Sequence, residues 1–209
     1  MMDLTKGQFV RHVVLHPFEG FEDLRWKKAG SIKIAAVIVC LLFVQVLAWE
    51  RWYGFQYYSS YDKVFNVVPY LFQSFILFGA WVVANWAMCT LFDGEGSLKN
   101  IFIFSAYALV PYIAGYLIGT LMSHFLVQEE YIFIQCIEIV GKGWTFVLMI
   151  SAIKTVHQFT FVKTILLIIL TIIAMFAMLF LLILLLTLFQ QVLIFIFSIY
   201  TEISYRLRA

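Results

Sequence analysis

From Thr164 to Leu188 the chain runs through 25 residues almost without a polar atom. The surface of a water-soluble domain does not tolerate such a segment. Across a bilayer it is stable as a helix, because every backbone N–H and C=O is satisfied within it. Four further stretches share this character and are separated by polar turns: Ile34–Trp49, Val67–Phe92, Ile101–Met122 and about Phe133–Val156. The first is lengthened by Ile32 and Lys33, whose ammonium snorkels to the interface. With 64% of residues hydrophobic and 12% charged, too little polar surface remains to coat a soluble globule. The expected fold is an all-α integral membrane protein of about five transmembrane helices.

The two ends differ from this pattern. In residues 1–31 Phe9, Val13, Phe18, Phe21, Leu24 and Trp26 are dispersed among charged side chains, which predicts N-terminal interfacial amphipathic helices. Gln8–Leu15 forms the first, Pro17 breaks the chain, and residues 18–28 are expected to lie along the headgroup plane. At the other end, Thr164–Arg208 as one straight helix would reach about 67 Å, more than twice the hydrocarbon core, so it bends near Gln190-Gln191 or projects. Val192–Tyr205 is too short for a sixth crossing. Ser198, Thr201, Glu202, Tyr205 and Arg208 share one helix side opposite Ile196, Ile199 and Ile203, and Glu202 is spaced to pair with Arg206. This C-terminal amphipathic helical extension either floats in headgroups or docks on a partner. The chain divides into an interfacial segment, 1–31, a five-span domain, 32–189, and a tail, 190–209.

Charge sets orientation. With the N-terminus inside, nine of the 14 Lys and Arg residues are cytoplasmic, four are outside and Lys142 is intramembrane. The N-terminus is expected to be cytoplasmic and the C-terminus extracytoplasmic. Cys40, Cys89 and Cys136 lie in apolar stretches without CxxC spacing and read as small buried hydrophobes, so neither a metal site nor a disulfide framework is expected. No hydrolase, kinase or Walker pattern is present, and His12 and His16 at i and i+4 read as part of an interfacial helix. The expectation is no enzyme, no cofactor and no nucleic-acid partner.

Four groups of residues are candidate partner or packing contacts. The turn Asp93-Gly94-Glu95-Gly96-Ser97-Leu98-Lys99 separates the second and third spans. Gly94 and Gly96 suit a reversal with positive φ, Asp93 and Ser97 suit capping of the next helix, and Glu95 and Lys99 are spaced to pair at i+4. Pro111 should kink the third span. Gly115 and Gly119 form a GxxxG that lets helices approach, within the chain or between copies. Glu138 and Lys142, at i and i+4, form the pair well inside a span. They either neutralise each other, with Lys142 snorkelling outward, or contact a partner.

The Asp93–Lys99 turn followed by Tyr107-Ala108-Leu109-Val110-Pro111 resembles the hallmark of the Yip (Ypt-interacting protein) family, and Trp144 with the Lys154–Lys163 turn resembles that family's fourth span and last cytoplasmic turn. His16-Pro17-Phe18-Glu19-Gly20-Phe21, Gly30-Ser31-Ile32-Lys33 and Gly54-Phe55-Gln56 look like its bacterial branch. The resemblance implies a multi-pass protein of the cell membrane whose relatives often accompany carbohydrate ABC importers. The expected function is a non-catalytic accessory subunit beside importer permeases. The rival is a stand-alone membrane-shaping or adaptor protein that forms homo-oligomers in the lipid bilayer.

Overall fold

The structure, a computed structural model, describes residues 6–27, 29–57 and 66–208, with side chains described from 7 to 205 within them. The aromatic loop residues Tyr58 and Tyr61, with Lys28, Lys63 and the Arg206 side chain expected to meet Glu202, lie outside the described residues. Those described are helical apart from short turns, and five helical stretches are long and apolar enough to cross a membrane: Ile32–Arg51, Val68–Leu91, Leu98–Met122, Gln128–His157 and Phe161–Tyr205. The protein is a multi-pass membrane protein.

The chain begins with α1 (Lys6–Leu15) and α2 (Pro17–Trp26), joined at His16 with Pro17 in the first turn of α2, where its missing N–H costs nothing. They form a tight hairpin, because a Cβ on Gly20 would stand 2.6 Å from Val13 Cα. Here the structure departs from the expected headgroup-plane helix. Phe9, Val13, Phe21 and Leu24 are buried in the protein core, and Phe21 stacks on Phe104 at 5.5 Å. The reason is tertiary, since neighbouring helices present an apolar groove for these rings to fill.

Next come α3 (Ile32–Arg51), α4 (Val68–Leu71), a π-helical turn (Phe72–Ile76) and α5 (Leu77–Leu91). The third span is α6 (Leu98–Ala108) and α7 (Val110–Met122), broken at Leu109 as Pro111 predicts. The break strands the amide of Tyr112, which donates to Thr145 Oγ1 at 2.9 Å on α8 (Tyr131–His157). A neighbouring helix thus satisfies the group that the proline disrupts.

The GxxxG face of α7 packs against α8. A Cβ on Gly115 would lie 3.4 Å from Gly141 Cα, and one on Gly141 would lie 2.9 Å from the Pro111 carbonyl oxygen. Gly141, unmarked in the sequence, is therefore the matching small residue of the crossing. Gly141→Leu should destabilise the bundle by about 2–3 kcal/mol through overpacking. That is a fall of roughly 4–12 °C in apparent Tm in detergent for a chain of this size. An unchanged Tm would show that the crossing is looser than described.

The last helix, α9 (Phe161–Arg208), is unbroken over 48 residues. Its first half packs on α5. The helix is not interrupted at Gln190-Gln191, and from Phe180 to Ile203 its side chains are exposed on every side. Of the cysteines, Cys89 is buried, whereas Cys40 and Cys136 are exposed on the outer faces of their helices, contrary to the expectation for all three.

Candidate functional site at the loop between α5 and α6

The loop closes α5 by a Schellman-type bond in which Gly94 N–H donates to the Cys89 carbonyl at 2.8 Å. The residue with positive φ is Asp93, at 61°, and no described glycine has one. The expectation for Gly94 and Gly96 is corrected accordingly: what the loop needs from them is space. A Cβ on Gly94 would stand 2.5 Å from His157 Nδ1 and 2.7 Å from the Cys89 carbonyl oxygen, and one on Gly96 would stand 2.5 Å from His157 Cε1. Asp93 thus terminates α5, while the expected capping of α6 falls to Ser97, whose hydroxyl accepts the Asn100 N–H at 3.3 Å.

His157, at the last position of α8, is 2% exposed and sits at the centre of a buried relay. Gly96 N–H donates to Nδ1 at 3.3 Å, which assigns the proton to Nε2, 3.3 Å from Asn85 Oδ1. Asn85 Nδ2 then donates to Thr171 Oγ1 at 3.3 Å, and that hydroxyl donates to the Leu167 carbonyl at 2.7 Å. The relay ties α5, the loop, α8 and α9 together. Phe159 stacks on the imidazole at 5.3 Å.

Two cations hold the carbonyl ends of helices, where the helix dipole favours positive charge. Arg25 of α2 donates to the Thr155 and Val156 carbonyls of α8 at 2.6 Å each and to Glu95 Oε2 at 2.6 Å. Lys163 donates to the Phe92 carbonyl at 2.8 Å and lies 4.2 Å from the Phe159 ring centre. Glu95 therefore pairs with Arg25 and not with Lys99. Because α6 starts at Leu98, Glu95 precedes the helix and the i+4 geometry does not apply.

The intramembrane pair lies elsewhere, where α3, α7 and α8 meet. Glu138 is buried and its Oε2 is 3.6 Å from Lys142 Nζ, which lies 5.0 Å from the Tyr116 ring centre. Glu138 Oε1 lies 3.5 Å from where a Gly119 Cβ would stand, and it lacks a hydrogen-bond partner among the described residues. Rings extend from here past the end of α3: Tyr116 meets Trp49 at 4.9 Å, Trp49 meets Tyr53 at 4.3 Å, and Tyr53 meets Tyr57 at 5.6 Å. Burial, then the adjacent Tyr131 and Glu138, push the Tyr53 hydroxyl well above its ordinary pKa, so it stays protonated. His12 and His16 do come together, with ring centres 5.0 Å apart, and His12 Nε2 lies 3.4 Å from Asp23. Among the described residues no group of three or more His, Cys, Asp or Glu is placed to hold a metal ion.

Of the sequence candidates, Gly94, Glu95 and Gly96 are brought to the His157–Arg25 junction, and Lys99 borders it on α6. Pro111, Gly115, Gly119, Glu138 and Lys142 form the α7–α8 seam, and Glu202 is exposed on the second half of α9. Sequence reading missed Arg25, Asn85, His157 and Gly141. The buried polar residue types of the middle two were the available signal. The polar groups of this junction join helix ends. No curated protein and no solved structure matches the chain. The Yip1 domain matches residues 11–185, from the hairpin through the packed half of α9. With most of its length covered in this way, the chain belongs to the Yip1 domain family, whose character is that of membrane proteins of trafficking and organising type.

Proposed function

We propose that this protein is a non-catalytic organiser of a membrane complex, with the projecting half of α9 as the surface it offers to another integral membrane protein. The observation that carries this reading is the exposure, on every side, of the apolar residues from Phe180 to Ile203. A helix apolar all round needs lipid or protein around it. One of about 72 Å finds lipid along less than half its length if it stands straight. The match to the family domain ends at residue 185, and most of this exposed stretch lies beyond it.

The partner class that the family resemblance favours is the permease pair of a carbohydrate ABC importer in a bacterial cell membrane. The Lys and Arg distribution puts the N-terminus and the α5–α6 loop on the cytoplasmic side and the end of α9 outside. Copurification after mild detergent solubilisation tests the reading. The full chain is expected to migrate with the permeases, and a chain ending at Thr187 to lose them while keeping its Tm. A full chain that migrates alone while the permeases stay together would count heavily against it.

One observation favours the rival stand-alone, membrane-shaping role. Trp144 Nε1 donates to the Val14 carbonyl at 2.8 Å, which places the hairpin tip about 20 Å along α8 from its last residue, a wedge beside one end of the bundle. Crosslinked homo-oligomers in cells without an importer would support that role.

A further inference from the structure

The packed contacts of α9 fix where its second half stands. Lys163 bonds the Phe92 carbonyl just past the end of α5, and further along Thr171 meets Asn85, so the two helices run antiparallel. Carried on at the same rise, this register brings Val68, where the second span begins, level with about residue 188. That span has 24 residues, about 36 Å, and already exceeds a hydrocarbon core of about 30 Å. The helix beyond Leu188 therefore stands past the end of the bundle, in headgroups or water.

There it carries a pattern suited to packing with other helices. Residues 185–205 make three heptads. Leu185, Phe189, Val192, Ile196, Ile199 and Ile203 recur at alternating spacings of four and three, the a and d positions, and each is 43–64% exposed. The aliphatic hydroxyl and amide side chains Thr187, Gln190, Gln191, Ser198, Thr201 and Ser204 all fall at b, c and f, on the opposite side. The Thr187 and Thr201 hydroxyls donate to carbonyls of their own helix, so this side needs only water. A helix polar at b, c and f but apolar across a and d belongs in a helix bundle, and the rest of the chain offers this half nothing to pack on.

Charge selects the occupant. The e and g positions, whose charges in other bundles choose between partners, are apolar here apart from Glu202, so nothing along the seam discriminates against a second copy. Copies in one membrane all present α9 in the same direction, which sets identical heptads side by side. We propose that copies of this chain associate through a parallel bundle of their α9 helices beyond the hydrocarbon core, with Leu185, Phe189, Val192, Ile196, Ile199 and Ile203 buried at its centre. This goes beyond the function proposed above and leaves room for it, because Ile194 and Phe197 are apolar residues at outer positions, where a permease could touch the bundle.

Disulfide trapping tests the seam, using a full chain in lipid vesicles with Cys40, Cys89 and Cys136 replaced by alanine. Mild oxidation should link Ile196→Cys chains in pairs and leave Ser198→Cys chains single. Native mass spectrometry in detergent should find multiples of the chain, lost to single chains in Ile196→Glu and kept in Ser198→Glu. Position 196 lies outside the packed bundle, so an unchanged Tm would confirm that Ile196→Glu folds. Stronger linking at 198 than at 196 would overturn the seam, since the polar side would then face inward. Single full chains that bring down permeases would overturn it too, and leave the proposed function standing. Multimers that bring down no permease would uphold the seam and overturn the importer reading.

Discussion

Gly94→Val is expected to lower the apparent Tm in detergent by roughly 6–20 °C, the equivalent of about 3–5 kcal/mol. Two costs add. The new side chain would start 2.7 Å from the Cys89 carbonyl oxygen, which belongs to the backbone and has little freedom to retreat. It would also start 2.5 Å from His157 Nδ1, and displacing the imidazole breaks the relay through Gly96 and Asn85, leaving buried polar groups without partners. Combining Gly94→Val with His157→Ala separates these costs, because the clash with the imidazole is removed while those with the Cys89 carbonyl oxygen and the Phe159 ring remain. The double variant should therefore lose less than the sum of the two single variants. A Gly94→Val chain that melts with the wild type would show that the loop does not press on the end of α8.

Arg25→Gln should destabilise by about 3 kcal/mol, since hydrogen bonds from a charged donor carry about 1.5–3 kcal/mol and two carbonyls of α8 would lose theirs. Arg25→Lys should recover only part, because one ammonium cannot reproduce the planar fork that reaches Thr155, Val156 and Glu95 together. Glu95→Ala should be nearly silent by comparison: the Glu95 side chain is 64% exposed, and water and salt screen its half of the pair. The ranking Arg25→Gln, then Arg25→Lys, then Glu95→Ala, read by Tm and by proteolysis of the hairpin, assigns the clamp to the carbonyl contacts. If Glu95→Ala matched Arg25→Gln, the ion pair would be the dominant contact instead.

The spans were legible because their signal is local. An apolar run long enough for the bilayer must be a helix there, and the structure places helices on all five runs, with ends within about five residues of those expected except at the last, which runs on past Leu188. The break at Pro111 was legible for the same reason, since a missing N–H acts on its own turn. The hairpin was misread because amphipathicity alone does not say whether an apolar stripe faces lipid or protein. Phe21 suits either, and Phe104 decides it.

What the sequence determined by itself is the class, the number of crossings and the small-residue face of α7. These follow from hydrophobic length and side-chain volume, which need no knowledge of neighbours. Only the tertiary structure decided the loop's role. The partner of Glu95 lies 70 residues away on α2, and the reason for Gly94 and Gly96 is an imidazole at the far end of α8. Such pairings depend on which helix ends the packed bundle brings together. For the same reason, two glycines expected to supply positive φ serve instead as space for the close approach of α8.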